Sequence, residues 1–325
     1  MTIPGNGDLA SLGEFGLISR IQALLPQSEE VILGPGDDAA IVKAVDGYVV
    51  ATTDMAVEDI HFRRDWSTAK QIGSKIAAAN LADLVSKGAR PTALLVAFAA
   101  PADLPVEWAL DLTLGLRDEA AKTGASIVGG DIARAEKIVI SIAALGSLDG
   151  REGVRRSGAK VGDLVVLAGT TGLSAAGLAL LSSDIDVALG EFNELRTAHL
   201  TPDVNYDLAL ALAIAGAHSM CDVSDGLLAD LGHIAQASGV KCQIDATKLD
   251  LSKLQGLATK IGVDPMRWAL TGGEDHAFVA TISPDVDLPD GTFVIGEVLV
   301  GSGVDVLGTD VSKWQAGHDH FHRII

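Results

Sequence analysis

The sequence predicts a two-domain chain of the α/β or α+β class, and three observations lead there. Its 325 residues, 48% of them hydrophobic, exceed what a single core usually organises, so each half is expected to bury a core of its own. Compact apolar runs bounded by Gly and Pro interleave with segments of helical periodicity in both halves, which excludes an all-helical or all-strand architecture. A polar, turn-rich stretch, Asp149-Gly150-Arg151-Glu152-Gly153, marks the junction and divides the chain into 1–148 and 149–325.

In the first half a helix is expected over Glu14–Leu25, strands near Asp38–Val42 and Tyr48–Asp54, and a long helix over Thr68–Lys87. Thr92–Ala99 is an apolar run between Pro91 and Pro101, the pattern of a buried strand. Pro105 suits a helix start, where a missing N–H leaves no bond unmade, and that helix reaches about Lys122. Short strands at Ala125–Val128 and Ile138–Leu145 complete the half. The second half reads as strand Leu164–Ala168, helices Ser174–Leu181, Val204–Ala215 and Leu227–Ala237, then strands Val240–Ile244, His276–Ile282 and Thr292–Ile295. No heptad, solenoid repeat or low-complexity tract interrupts this order.

A net charge of −19 and a pI near 4.6 repel nucleic-acid backbones and anionic membranes, so neither is an expected partner. Polyphosphates would be repelled as well. An acidic protein that binds them needs bridging cations, and the composition therefore points to metal dependence. Cys221 and Cys242 fit neither a zinc spacing nor a disulfide framework and read as buried thiols. The first residues lack a basic-then-apolar leader and no apolar run reaches the roughly 18 residues of a membrane span, so the cytosol is the expected location.

The chemistry begins where glycines precede acids. Gly34-Pro35-Gly36-Asp37-Asp38 sets two carboxylates at the lip of an apolar strand, and Thr52-Thr53-Asp54 offers hydroxyl and carboxylate oxygens at the end of the next. Ile72, Ile76, Ala79 and Asp83 share one helical stripe, so the Asp83 charge needs a partner, either an Arg or backbone donor or a metal. Gly129-Gly130-Asp131 follows the strand at Ala125–Val128. Asp222-Val223-Ser224-Asp225-Gly226 precedes a helix that Ser224 or Asp225 could simply cap, which leaves Asp222 without a task. Thr271-Gly272-Gly273-Glu274-Asp275 is a third such turn. A turn or cap accounts for each alone, but acids behind glycines at strand ends in both halves are explained economically by several bound metals. No P-loop and no dinucleotide-binding glycine pattern occurs, so metals must take over the role of the P-loop lysine. Arg151, Arg155, Arg156 and Lys160 cluster at the junction, as a phosphate clamp or as a solvated linker. His61 reads as a core or surface histidine or as a substrate contact, and the tail His318-Asp319-His320-Phe321-His322 as a weak metal binder or a chain end.

Taken in order, Glu14-Phe15, the Gly34 to Asp38 turn, Thr52-Thr53-Asp54 with His61-Phe62, Asn80 to Asp83, Gly129-Gly130-Asp131, Arg156-Ser157-Gly158-Ala159, Asp222 to Gly226 and Gly272 to Asp275 resemble the thiamine-monophosphate kinase family over nearly the whole chain. That family falls in the aminoimidazole ribonucleotide synthetase-like superfamily. The resemblance implies an N-terminal mixed sheet with helices that binds ATP and metal and forms a homodimer, and a C-terminal α/β domain that completes the active site. It implies that Asp38, Thr52, Thr53, Asp54, Asp83, Asp131, Asp222 and Asp225 hold several Mg²⁺ ions, that Gly130, Arg156 and Ser224 contact ATP, and that His61, Glu274 and Trp314 lie at the thiamine monophosphate end. Three positions depart from the family pattern: Ala82 where Ser is common, His276 where Tyr is usual, and His318 where an aromatic residue is common.

The activity so implied is direct transfer of the ATP γ-phosphoryl group to the phosphate of thiamine monophosphate, giving thiamine diphosphate. With a second pKa of about 6, a phosphate monoester is largely ionised at neutral pH and needs no general base. A site rich in acids without an evident catalytic His or Lys agrees with that. Other members of the superfamily, namely the synthetase itself, selenophosphate synthetase and the hydrogenase-maturation dehydratase, remain alternatives, the last two weakened by the absence of a cysteine near the N-terminus and by the ending Arg323-Ile324-Ile325. A metal-nucleotide binding protein without catalysis is the alternative from another class.

Overall fold

The structure is a computed structural model that describes residues 8–12, 14–33, 41–185, 190–312, 314 and 317. Two compact units emerge: residues 1–84 with 89–151, and residues 152–325 with 85–88.

The first unit begins with helices α1 (Leu9–Leu12) and α2 (Glu14–Gln22) and a small antiparallel pair, β1 (Val31–Leu33) with β2 (Ile41–Val42). Then come β3 (Val50–Val57), α3 (Ala69–Ser86), β4 (Arg90–Ala100), α4 (Val106–Ala121), β5 (Ser126–Arg134) and β6 (Val139–Ser147). Four of the strands form one mixed sheet in the order β3-β6-β4-β5, with β4 and β5 parallel and the other pairs antiparallel. The parallel pair needs a crossover, which α4 supplies.

Period-two alternation separates the two faces of this sheet. On the helix-covered face, Leu94, Phe98, Ile140, Ile142 and Ala144 are buried, and Phe98 stacks on Trp108 of α4 at 6.3 Å between ring centroids. On the other face Ala51, Thr53, Met55, Leu95, Ala97, Asp131 and Ala133 are exposed, Met55 by 57%. The apolar face of α3 is broader than the expected stripe, since Ala77, Ala78, Leu81, Ala82, Leu84 and Val85 are also fully buried. Helices α3 and α4 touch backbone to backbone: a Cβ on Gly115 would collide with the Lys70 carbonyl, and one on Gly73 with that of Leu112.

The second unit contains β7 (Leu164–Ala168), α5 (Leu173–Leu181), α6 (Asn193–Leu200), α7 (Tyr206–Ile214), β8 (Ser219–Val223), α8 (Leu227–Ser238), β9 (Lys241–Asp245), α9 (Ser252–Ile261), α10 (Pro265–Thr271), β10 (Ala277–Ile282), β11 (Thr292–Leu299) and β12 (Gly303–Leu307). Its six strands run in the order β12-β9-β11-β7-β10-β8, antiparallel except for β12 with β9. The core holds Val165 and Leu167 of β7, Cys221 and Val223 of β8, Leu231 and Ile234 of α8, and Leu254 and Leu257 of α9.

Two expectations need correction. Thr52-Thr53-Asp54 and Gly129-Gly130-Asp131 do not end their strands, because β3 continues to Val57 and β5 to Arg134. The glycines that read as a strand terminus instead follow a bulge, where Leu94 pairs with Ile127 and Leu95 with Gly129. At Gly130 the β4 backbone is so near that a Cβ would collide with the Val96 carbonyl. Strand β8 was not expected at all: it is five residues long, an edge strand, and carries Asp222.

Adding one methyl group at the helix crossing tests this packing. Gly115→Ala should destabilise the protein by about 1–3 kcal/mol, since two backbones must separate to admit it. A lowered midpoint in thermal unfolding followed by circular dichroism is the expected result, and an unchanged midpoint would contradict the close approach.

Candidate active site

In the first unit the strand parity decides which acids can meet. Thr52 and Asp54 point to the helix-covered face of β3, where the Thr52 hydroxyl donates to Asp83 Oδ2 at 2.7 Å. Asn80, one turn earlier on α3 and fully buried, ties the helix to the strand: its Oδ1 accepts from the Asp54 N–H at 3.1 Å and its Nδ2 donates to the Ile76 carbonyl at 2.9 Å. The partner required by Asp83 is thus a hydroxyl from the neighbouring strand. Thr53 has the opposite parity, so its side chain lies on the exposed face.

Asp131 does not join this group. It lies in one cross-strand row with Ala97, Ser141 and Met55, on the exposed face, at the opposite edge of the sheet from β3. Three strand spacings separate β5 from β3, about 14 Å. Gly130, its neighbour, has the parity of the helix-covered face. His61 closes the loop after β3: its Nδ1 accepts from the Val57 N–H at 3.0 Å, which leaves the ring proton on Nε2.

In the second unit two turns lock together. The turn after β8 carries Asp222, Ser224 and Asp225, and the turn after α10 carries Gly272 to His276. The Glu274 N–H donates to the Ser224 carbonyl at 2.8 Å and the His276 N–H to that of Val223 at 3.1 Å. Gly273 is required by this contact, because a Cβ there would collide with the Ser224 carbonyl. Asp230 of α8 holds the first turn, accepting from the N–H groups of Asp225 and Gly226, each at 3.1 Å. Burial, followed by the charges of Asp222 and Asp225, pushes its carboxyl up to about 7. Asp275 holds the second turn against the start of α5, accepting from Gly172 N–H at 2.6 Å and Ser174 N–H at 2.7 Å. Buried Asp222 has His276 Nδ1 at 3.1 Å from its Oδ2.

Glu274 is half-exposed and lies 3.5 Å from Nδ1 of His199, a buried residue of α6 that also meets the Ser174 hydroxyl at 3.1 Å. Trp314 packs on the core of this unit, and Gly317 passes against the Asp225 carbonyl. Arg156 is exposed, in a loop pinned by the Ser238 hydroxyl, which donates to the Arg156 carbonyl at 3.0 Å. Asp38 and the His318 to His322 tail lie outside the described residues. Sequence reasoning did not single out Asp230 or His199. The available signal for Asp230 was its place one turn into the helix after Gly226, where a carboxylate can reach back to open N–H groups.

Among the described residues no three His, Cys, Asp or Glu side chains converge on one point. What the structure offers is smaller sets of hard oxygen donors. These fit Mg²⁺, which takes one or two carboxylates together with substrate phosphates and keeps its remaining waters.

A two-unit chain with a four-stranded mixed sheet, a six-stranded sheet and acid-bearing turns in each defines an AIR synthase related protein. The sequence family of that N-terminal domain matches residues 36–148, and that of the C-terminal domain residues 160–278. The chain belongs to the thiamine-monophosphate kinase family. It is 49% identical over 295 residues to the thiamine-monophosphate kinase of Mycobacterium tuberculosis (strain ATCC 25618 / H37Rv), covering 90% of this chain and 87% of that one. Among solved structures, the thiamine-monophosphate kinase of Stenotrophomonas maltophilia K279a superposes with a TM-score of 0.79 at 33% identity, over 91% of this chain and 97% of that one. AaThiL complexed with AMPPCP and TMP superposes with a TM-score of 0.77 at 34% identity, over 96% and 98%.

The Asp275 carboxyl gives a pH test. Burial, opposed by its two N–H donors, raises its folded pKa to about 7 from 3.8. Folding therefore favours the protonated form, and the stability so contributed is complete below about pH 4 and lost as pH rises through about 7. In metal-free protein Asp275→Asn should flatten the fall of the thermal midpoint across that window. A pH slope equal to that of the unsubstituted protein would contradict the assignment.

Proposed function

We propose that this chain transfers the terminal phosphoryl group of ATP to the phosphate of thiamine monophosphate, releasing ADP and thiamine diphosphate, as a cytoplasmic homodimer. The reading is carried by the match, at 49% identity over 90% of the chain, to a kinase of that substrate. A solved relative holding AMPPCP, an ATP analogue, together with TMP supports it. No described helix is long and apolar enough to cross a membrane.

The acceptor phosphate is its own nucleophile and is ionised at neutral pH, so no residue acts as general base. The task is to bring two polyanions together and align them. Thr52, Thr53, Asp54, Asp83, Asp131, Asp222 and Asp225, with Asp38, hold several Mg²⁺ ions, which supply charge neutralisation at the phosphates. Gly130 admits the nucleotide close to the β5 backbone, Ser224 contributes a hydroxyl, and Arg156 a guanidinium free to swing toward a phosphate. Thiamine carries a positive thiazolium ring. Glu274 offers it a carboxylate, Trp314 an aromatic face and His61 a ring N–H.

Asp54→Asn should abolish ADP release in a coupled assay with thiamine monophosphate while the circular dichroism spectrum is retained. Full turnover of D54N, or release of ADP that is indifferent to the acceptor, would overturn the reading; binding of nucleotide without turnover would favour a non-catalytic metal-nucleotide binder.

The exposed sheet face supports the homodimer. Met55, Leu95 and Ala97 form part of an open apolar surface, and a second copy of the sheet is a fitting cover for it. This arrangement also resolves the position of Asp131: with edge strands β3 and β5 brought alongside across the two-fold axis, Asp131 of the partner subunit joins Thr53 and Asp54. Mixing experiments read this directly. D54N and D131N should each be inactive alone, and subunit exchange should restore about a quarter of wild-type activity, since half the dimers are mixed and each carries one intact site. No restoration despite confirmed exchange would place Asp131 within its own subunit's site.

A further inference from the structure

Two non-glycine residues of one turn have left-handed backbones, Glu274 at φ 64° and His276 at φ 50°. Such conformations cost roughly 1–2 kcal/mol for residues with a Cβ and persist where the surroundings over-determine them. Here the Glu274 and His276 N–H groups are bound to the Ser224 and Val223 carbonyls, and both Asp275 oxygens are bound at the start of α5. The outcome of this fixed backbone is the placement of one imidazole. Nδ1 of His276 stands 3.1 Å from Asp222 Oδ2, with both side chains buried. An ionised carboxylate only accepts, so the ring nitrogen facing it must carry a proton.

Asp222 is an expensive residue to leave unsupported. Its carboxylate is withdrawn from water and has the acidic side chains of Asp225 and Asp230 in the same turn assembly. A donor on Oδ2 fixes the plane of the carboxylate and leaves Oδ1 to face another group. Carboxylates that bind metal are commonly held in this way by a partner outside the coordination sphere.

We propose that His276 is a positioning residue that holds Asp222 in the orientation in which it takes a divalent cation. This rests on the reading of Asp222 as a metal ligand. It assigns a task to the histidine that stands where the family pattern has tyrosine, and it explains why a strained backbone is kept at that position.

The test is Mn²⁺ binding to the full chain without nucleotide, followed by electron paramagnetic resonance of free Mn²⁺, with Asp222→Asn as the reference. His276→Phe and His276→Ala both remove the donor, so a folding defect in one leaves the other to be read. Each should weaken, by about 10- to 100-fold, the class of Mn²⁺ that D222N loses. His276→Asn should stay near wild type, because Asn Nδ2 occupies the position of imidazole Nδ1 and Asn accepts a left-handed backbone readily. A purely structural role would lower the thermal midpoint of the donor-free variants and leave Mn²⁺ affinity unchanged, which overturns the proposal. Equal weakening in H276N and H276F also overturns it, since the donor would then be irrelevant. If D222N itself binds Mn²⁺ like the wild type, the metal reading of Asp222 fails and the proposal with it.

Discussion

Carboxylates gathered at one place repel each other and lose hydration, and the fold has to hold them in spite of both. The described contacts show how. Asp83 receives a threonine hydroxyl from the adjacent strand, Asp230 two backbone N–H groups from the turn it supports, Asp275 two more from a helix start, and Asp222 an imidazole nitrogen. Each donor orders a side chain that would otherwise turn to water. The long helix α3, the bulge in β5 and the double turn of the second unit all make sense as means of bringing those donors to the acids.

The two units solve the problem differently. In the first, the acids stand on a sheet, so strand parity and strand order determine what meets. Asp54 and Thr52 share a face, Thr53 does not, and Asp131 lies at the far edge. In the second, the acids stand on turns, where hydrogen bonds between two loops replace sheet register. Gly273 permits the loops to touch at the Ser224 carbonyl, and the strained Glu274 and His276 follow from that contact. The metal-binding turn and the turn that presents Glu274 are therefore one mechanical piece, so a shift in either is felt by the other.

Much of this was legible in the sequence. The α3 helix was expected over Thr68–Lys87 and runs Ala69–Ser86, β7 runs as expected over Leu164–Ala168, and the helix after Gly226 begins at Leu227. Periodicity and glycine placement are local signals and they gave local elements. The glycine-acid turns also singled out the acids themselves. What the sequence withheld was non-local. Strand order decides that Asp131 and Asp54 are far apart in one protomer, and nothing within Gly129-Gly130-Asp131 encodes the order of its neighbours. The same holds for β8, an edge strand whose short run is broken by Asp222, and for His276, whose task appears only once β10 has been laid beside β8.

The contrast between site acids and surface acids accounts for the large negative charge. On the surface, acids are neutralised by cations: Arg90 joins Glu30 and Asp149, Lys70 and Arg117 meet Asp118, and Lys137 meets Asp59. Such pairs cancel charge and contribute little to stability. The donors described for Asp83, Asp230 and Asp275 are hydroxyl and amide groups, which orient an acid without neutralising it. A lysine at Asn80 or Thr52 would hold the helix to the strand equally well, but it would compete with Mg²⁺ for the same carboxylate. Neutral donors keep the geometry and leave the charge for the cation, and a protein built in this way carries an acidic surplus until its metals arrive.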